Sequence, residues 1–434
     1  MKKTTTNPMT TGNLNYYWRC FCRGLRALAG QPWRRAAAVL YWMIILAVVV
    51  HTAIAPAANF FDKLLRPLVC IAVPIGAATV FLIVVTISAI PRGAWQAAQA
   101  FQRIGLSNHA GETPRLIDNK NMGDGKMMKE FFTQGITVED FQDKIPEIES
   151  ALNVRVTKIE AGCDQQHIIL HLAPGNAKIP DVVDRPRNIE SAPSRVWLGQ
   201  SLDGPVVVDF NKTPHILVGG STGSGKTYLL KGIMQQCLQR DHDVYLIDLK
   251  GGQDYPPIWR KFYADYSIER QDALSVCSRI VADLERRKVL FNLMAQEKNR
   301  PCSTIDDYNA MIGCQYLTRK ILFIDEIAEL TDTTGLDKNW KELANTTINK
   351  LSTIARLGRA FGINLVVGTQ RPDAIVIPGQ IKNNIDVRLC GKADNTLSII
   401  ILDNGDAAEK IPKDSQGLFL NQDGVLFRAY RFVE

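Results

Sequence analysis

The stretch with the most chemistry in it is Gly220 to Thr227, which reads Gly-Ser-Thr-Gly-Ser-Gly-Lys-Thr. It fits the pattern G-x-x-x-x-G-K-[ST] of a phosphate-binding loop. The residue types follow from what a polyphosphate needs. Gly220, Gly223 and Gly225 let the backbone curl. Successive N–H groups, those of Ser221, Thr222 and Ser224 among them, then turn toward one anion. A helix beginning at the end of the loop adds its own N-terminal N–H groups and dipole. Lys226 is placed to reach the β- and γ-phosphates of ATP, and Thr227 offers a hydroxyl to Mg2+. The apolar run His215–Val218 before the loop reads as a strand, and Tyr228–Leu230 after it as the start of a helix, which is the context the pattern requires.

A second acid must complete such a site. Ile321-Leu-Phe-Ile324 is an apolar run ending in Asp325-Glu326. A buried strand would deliver both acids at its C-terminal edge, where open α/β sheets bind ligands. Asp325 would hold the Mg2+ shell and Glu326 would activate the attacking water. Gly368-Thr-Gln-Arg-Pro372 ends the next apolar run. There Thr369 or Gln370 would contact the γ-phosphate and report hydrolysis; a strand-end turn forced by Pro372 is the plainer reading of the same residues.

The elements that position these groups alternate between short apolar runs and helical spacing. Asp243–Leu249, Lys320–Asp325, Gly362–Thr369 and Asp386–Cys390 read as strands, and Ile268–Asn299 and Lys338–Phe361 as helices. That alternation implies a parallel sheet covered by helices. Gly417–Arg428 reads as a hairpin turning at Asp423-Gly424. Upstream, residues 128–200 look like a small α/β unit. Val138–Leu152 is helical, Val154–Ile159 and His167–Leu172 are strands, and His167 and His171 sit at exposed strand positions, solvated or packed on the plainer reading and metal-binding on the alternative. Residues 92–127 read as a juxtamembrane helix followed by a linker ending at Asn121–Gly125.

The formal charge of +7 suggests nucleic acid until it is located. Residues 1–35 contain seven Lys and Arg and no acid, 36–91 add +1, and 92–434 are left at −1. The excess is therefore an N-terminal feature, and any DNA-binding surface must be local. Ala36–Ala55 and Leu68–Ile90 contain no charged residue, and the former, at ~1.5 Å per residue, is long enough to cross a bilayer. With the short connector Pro56–Pro67 they read as a transmembrane hairpin. The basic N-terminus places both chain ends, and everything from Arg92 on, in the cytoplasm. The nine Cys are scattered, with no C-x-x-C, as in a protein of a reducing compartment. The division expected is 1–35 basic N-terminus, 36–91 two spans, 92–127 linker, 128–200 small domain and 201–434 motor domain. The fold class is α/β: a P-loop (RecA-like) parallel sheet flanked by helices, with the small α/β domain and the hairpin before it.

With these motifs in hand, residues 196–434 resemble the motor domain of the FtsK/SpoIIIE family of DNA translocases. The resemblance is carried by Pro214–Thr227, Leu246-Ile-Asp-Leu-Lys250, Leu284-Glu-Arg-Arg287, Asp307-Tyr-Asn309, Ile324-Asp-Glu326, Gly358–Ile363, Gly368–Pro372 and Ile381-Lys-Asn-Asn384. It implies a hexameric ring that hydrolyses ATP between subunits and draws double-stranded DNA, or alternatively a single strand, through its centre. A neighbour's arginine would complete each site, Arg388 first and Arg359 second, either of them a structural ion-pair partner on the plainer reading. Lys382, in the loop Ile377–Asn384, would contact DNA phosphate unless it is an ordinary surface lysine. Chromosome-pumping members usually have four spans, a long linker and a C-terminal winged-helix module. Two spans and an end at Glu434 resemble instead the coupling proteins of conjugative elements in Gram-positive bacteria, which deliver DNA to a transfer channel with a relaxase or channel protein as partner. The alternatives are an ATPase energising protein secretion, a chromosome segregation pump and a membrane-tethered nucleotide switch.

Overall fold

A computed structural model of the 434-residue chain describes residues 11–56, 59–186, 192–371 and 377–431. The chain forms two compact units, Met1–Ala177 and Lys178–Glu434.

The first unit begins with helices Thr11–Gly30, Pro32–Ile54 and Phe60–Ser88. Pro32 occupies the first turn, where its missing N–H costs nothing. Pro32–Ile54 and Leu64–Ser88, of 23 and 25 residues, are long and apolar enough to cross a membrane. Both begin earlier than the uncharged runs, and the connector is shorter, because helix resumes at Phe60 and takes Pro67 inside it. Arg66 closes the turn by donating to the carbonyls of Ala55 and, at 2.8 Å, Pro56, which the end of the preceding helix leaves without partners.

The remainder of this unit corrects the expected linker. After helix Ala94–Arg103 come strands β1 (Arg115–Gly123) and β2 (Lys126–Phe132), joined through Asp124-Gly125, both at positive φ (51° and 74°). This is the Asp-Gly two-residue hairpin, hidden from the sequence reading by the polar residues Asp118–Asn121 toward the turn. Helices Val138–Gln142 and Ile145–Leu152 follow, then β3 (Val154–Ala161) and β4 (His167–Pro174). The antiparallel sheet runs β1-β2-β4-β3. Its buried face packs Phe131, Leu170 and Leu172 against Phe101, Phe141 and Ile148. The small domain thus extends upstream of residue 128 and stops short of 200. His167 is buried, not exposed. Its Nε2 faces the Arg19 guanidinium at 2.8 Å, an obligate donor, so the proton sits on Nδ1 and is given to Asp164 Oδ1 at 2.5 Å. A ring so engaged is a structural histidine, even with Cys163 and Glu130 nearby.

The second unit is built on ten strands: β5 (Arg195–Ser201), β6 (Pro205–Asp209), β7 (His215–Gly219), β8 (Asp243–Ile247), β9 (Asp265–Ser267), β10 (Lys320–Ile324), β11 (Ile363–Thr369), β12 (Val387–Cys390), β13 (Leu418–Asn421) and β14 (Leu426–Ala429). Their order is β6-β5-β14-β13-β12-β7-β11-β10-β8-β9. From β12 to β9 all neighbours are parallel. From β12 to β6 they are antiparallel, so the C-terminal hairpin and Arg195–Ser201 extend the motor sheet. Strands β7, β8, β10 and β11 are almost wholly buried because helices cover both faces. The helix Lys226–Leu238 packs on one face. Arg270–Lys298, Lys338–Leu357 and Asn395–Leu402 pack on the other. Arg287, in the segment Leu284-Glu-Arg-Arg287, is fully buried; it binds Asp283 and the carbonyls of Phe361 and Thr318.

His215 opens β7 and ties the sheet to a helix. Its Nδ1 accepts from Leu365 N–H and its Nε2 donates to Ala355 O, each at 2.9 Å. Burial pushes its pKa down to about 4. The unfolded chain therefore binds one more proton between pH ~6.5 and ~4, and stability falls as pH drops through that window. At the bottom of it the expected loss is about 3 kcal/mol. Urea midpoints of wild type and His215→Asn across this range check this: the variant's midpoint should vary less with pH.

Candidate active site

The loop 220–225 runs from the end of β7 into helix Lys226–Leu238. Gly225 sits at φ +95°, and a Cβ there would lie 2.9 Å from Gly417 N. No other residue fits this turn without moving the hairpin. Three neighbours hold the loop. Gly220 N–H donates to Thr369 O (3.2 Å), Ser221 N–H to Lys392 O (2.7 Å), and Gly417 N–H to Ser224 O (2.8 Å). Ser224 N–H turns back to Ser221 O at 3.0 Å. In this structure the N–H groups of Ser221 and Ser224 are therefore bonded within the protein. The N–H groups of Thr222, Gly223, Gly225, Lys226 and Thr227 have no acceptor among the described residues, and they are the donors available to a phosphate.

Lys226 and Asp325 meet at the strand end. Both are buried, at 3% and 1% exposure. Lys226 Nζ lies 2.5 Å from the Asp325 backbone oxygen and 3.2 Å from Oδ1. Oδ1 also accepts from Thr227 Oγ1 at 3.3 Å and Tyr255 OH at 3.2 Å. A Cβ on Gly368 of β11 would fall 2.3 Å from the same Asp325 backbone oxygen, which explains a glycine within a buried strand.

The other carboxylate oxygen, Asp325 Oδ2, is buried without a hydrogen-bond partner among the described residues, as is Asp248 Oδ2 at the end of β8. Burial raises the Asp248 carboxyl above its ordinary pKa, and the charges of Asp325 and Asp254 add to this. Two orphaned carboxylate oxygens beside a threonine hydroxyl form a hard-oxygen donor set, and this fits Mg2+. Thr227 and Asp325 would hold it. Burial first, and then the negative charges of Asp325 and Asp248, also raise the Tyr255 hydroxyl well above its usual pKa, so it stays protonated and can only donate to Asp325.

Glu326 is held from β11. It accepts from Thr369 Oγ1 at 2.9 Å and from Gln370 N–H at 3.2 and 3.0 Å, and Lys250 Nζ stands 3.6 Å from Oε2. Thr222 Oγ1 in turn donates to the Gln370 side-chain oxygen at 3.1 Å. The phosphate loop, Gln370 and Glu326 thus form one chain of hydrogen bonds. Arg371 extends it to Glu329 and Asp332, at 2.7 and 2.8 Å. Pro372 lies outside the described residues.

Two of the other three sequence-picked cations, Lys382 and Arg388, are brought together elsewhere. Lys382, in the short helix Gly379–Lys382 rather than in a loop, contacts Asp403 Oδ1 at 2.7 Å, and Arg388 bonds the same carboxylate. Arg359 is exposed and donates to Asn211 O at 3.3 Å. Sequence reasoning missed Asp248, Lys250 and Tyr255 as site residues. The run Asp243–Asp248 carries the same apolar-then-acid signal as Lys320–Asp325; Tyr255 carries none.

A strand, a glycine loop opening a helix, its lysine and threonine, and an acid pair at the end of a parallel strand two places away define a P-loop ATPase. Residues 182–374 match the model of the FtsK/SpoIIIE family. The structure of the pCW3 conjugation coupling protein TcpA, in monomer form with ATPγS, aligns with a TM-score of 0.56 and 33% identity over 79% of this chain and 96% of that one. The DNA translocase FtsK of Halalkalibacterium halodurans is 29% identical over 335 residues (67% of this chain, 39% of the relative), and that of Staphylococcus aureus 30% over 304 residues (64% and 36%). The chain belongs to the FtsK/SpoIIIE family. It spans well under half the length of those curated FtsK relatives, 39% and 36%.

Tyr255→Phe keeps the ring and removes one of three donors to Asp325 Oδ1. Losing a hydrogen bond to a charged group is worth ~1.5–3 kcal/mol, so ATP turnover should fall about tenfold or more while the fold survives. Steady-state ATPase rates and a thermal melt check this.

Proposed function

We propose that this chain is a membrane-anchored, ATP-driven DNA translocase that delivers DNA to a conjugative transfer channel. The observation that carries this reading is its 33% identity to a conjugation coupling protein over 96% of that protein's chain. The two apolar N-terminal helices support an anchor in the cell membrane, and the basic first 35 residues support a cytoplasmic N-terminus and motor.

ATP is the substrate. The free N–H groups between Thr222 and Thr227 receive its phosphates, and Lys226 leaves Asp325 for their charge. Thr227 and Asp325 would hold Mg2+, which when bound would supply charge neutralisation to the polyphosphate. Glu326 takes a proton from the attacking water; the water oxygen bonds to the γ-phosphorus as the bond to the β–γ bridging oxygen breaks, yielding ADP and phosphate. Gln370 touches both the loop and Glu326, and so reports which nucleotide is bound. Arg388 or Arg359 reaches a neighbour's site in a hexameric ring, and Lys382 contacts the phosphates of a duplex in the pore. Arg388 and Lys382 must release Asp403 to do so.

The test is complementation. A conjugative element lacking this chain should recover transfer with the wild-type chain and not with Lys226→Ala. Undiminished transfer without the chain would remove this reading, and a loss of protein export in its place would favour the secretion ATPases.

A further inference from the structure

We propose that helix Thr11–Gly30 lies in the headgroup layer of an anionic bilayer and clamps the small domain to the membrane surface; this rests on the membrane-anchored reading above. Two surfaces of the helix are already taken. Tyr16 and Cys20 are buried, and Tyr16 donates to Leu116 O of β1 at 3.2 Å. Arg23 bonds Asp118 at 2.6 Å, and Arg19 holds His167. At Gly24 the helix crosses Phe60–Ser88 so closely that a Cβ would meet Val85 O at 2.4 Å.

That crossing fixes the depth. Val85 is within one turn of the end of the second apolar helix at Ser88, and only Gln31 separates Gly30 from the start of the first at Pro32. The helix therefore packs at the end of the hairpin where both apolar helices meet the side carrying the rest of the chain.

Its third surface is apolar and partly uncovered, with Trp18 and Leu25 exposed and Phe21 half-buried. At about 100° per residue, Trp18, Phe21 and Leu25 fall on one side of the helix, away from Tyr16, Cys20 and Gly24. Trp18 is 63% exposed and Leu25 39%, and the Trp18 and Phe21 rings pair at 5.6 Å. Tyr17 on the same helix and Trp33 at the start of the next are exposed as well. Arg26 and Arg35 are exposed with no carboxylate partner among the described residues. Exposed aromatic rings and unpaired arginines on a helix that adjoins the ends of both apolar helices match the boundary between acyl chains and anionic headgroups.

The experiment uses the full chain in lipid nanodiscs, wild type beside Trp18→Phe and Trp42→Phe. The differences isolate the emission of Trp18 and of Trp42, the latter inside the first apolar helix. Lipids brominated near the headgroup or near the chain ends are the quenchers. The expected result is that Trp18 loses more emission to the shallow bromines, more so with anionic lipid than in a zwitterionic bilayer, while Trp42 loses more to the deep ones. Trp42 quenched and Trp18 not would overturn this inference alone and assign the stripe to a protein, a second copy included. Trp42 unquenched would overturn the anchor, and this inference with it.

Discussion

Lys226→Ala lowers ATP turnover by at least ~10²–10³-fold, the cost of removing one charged donor from developing phosphate charge in a water-poor site. It should weaken ATP binding as well, since Lys226 opens the helix at the phosphate loop. The effect on the fold is smaller. A buried acid robbed of its partner costs ~3–5 kcal/mol when nothing replaces it. Here Thr227 and Tyr255 continue to donate to Asp325 Oδ1, and Lys250 stands 3.9 Å from Oδ2. The expected picture is a folded protein with a lowered melting temperature, weak nucleotide binding and no measurable turnover. Fluorescent ATP titration and phosphate release on the same preparation check it.

Glu326→Gln should separate binding from chemistry. The amide keeps the size of the side chain and still offers an oxygen to the Gln370 N–H that donates to Glu326 at 3.0 and 3.2 Å. It cannot take a proton from water, and a positioned general base is worth ~10²–10⁴-fold. ATP should bind as in wild type and remain uncleaved, which rapid-quench measurement of bound nucleotide reads directly. Combining both substitutions should cost little more than the worse of the two, because the residues serve one step. A Glu326→Gln enzyme with wild-type turnover would transfer the proton-accepting role to another group, and Asp248, with its raised pKa, is the nearest in kind.

The parts of the fold that could be read from sequence are those whose signal is local. The loop 220–227 states its own geometry, because only glycine tolerates the backbone at Gly223 and Gly225. Asp325 and Glu326 were legible because a buried parallel strand is a continuous apolar run, and its end is where polar residues resume. Long-range pairing was not legible. Nothing in Arg195–Ser201 says that it joins Leu426–Ala429, more than two hundred positions away, to extend the motor sheet. The same limit hid Tyr255, which reaches Asp325 from a loop after β8, and Asp403, which gathers Lys382 and Arg388. The hairpin β1–β2 is a different failure. Its Asp124-Gly125 turn was visible, but half-buried strands with polar residues toward the turn lack the alternation that would have named them.

The central claim is that nucleotide hydrolysis at Lys226, Asp325 and Glu326 is coupled to DNA. The most direct measurement is the ATPase rate of the full chain in nanodiscs, with and without duplex DNA, at constant salt. The account predicts a rate that rises with duplex length and disappears in Lys226→Ala. A rate indifferent to DNA of any form would contradict it.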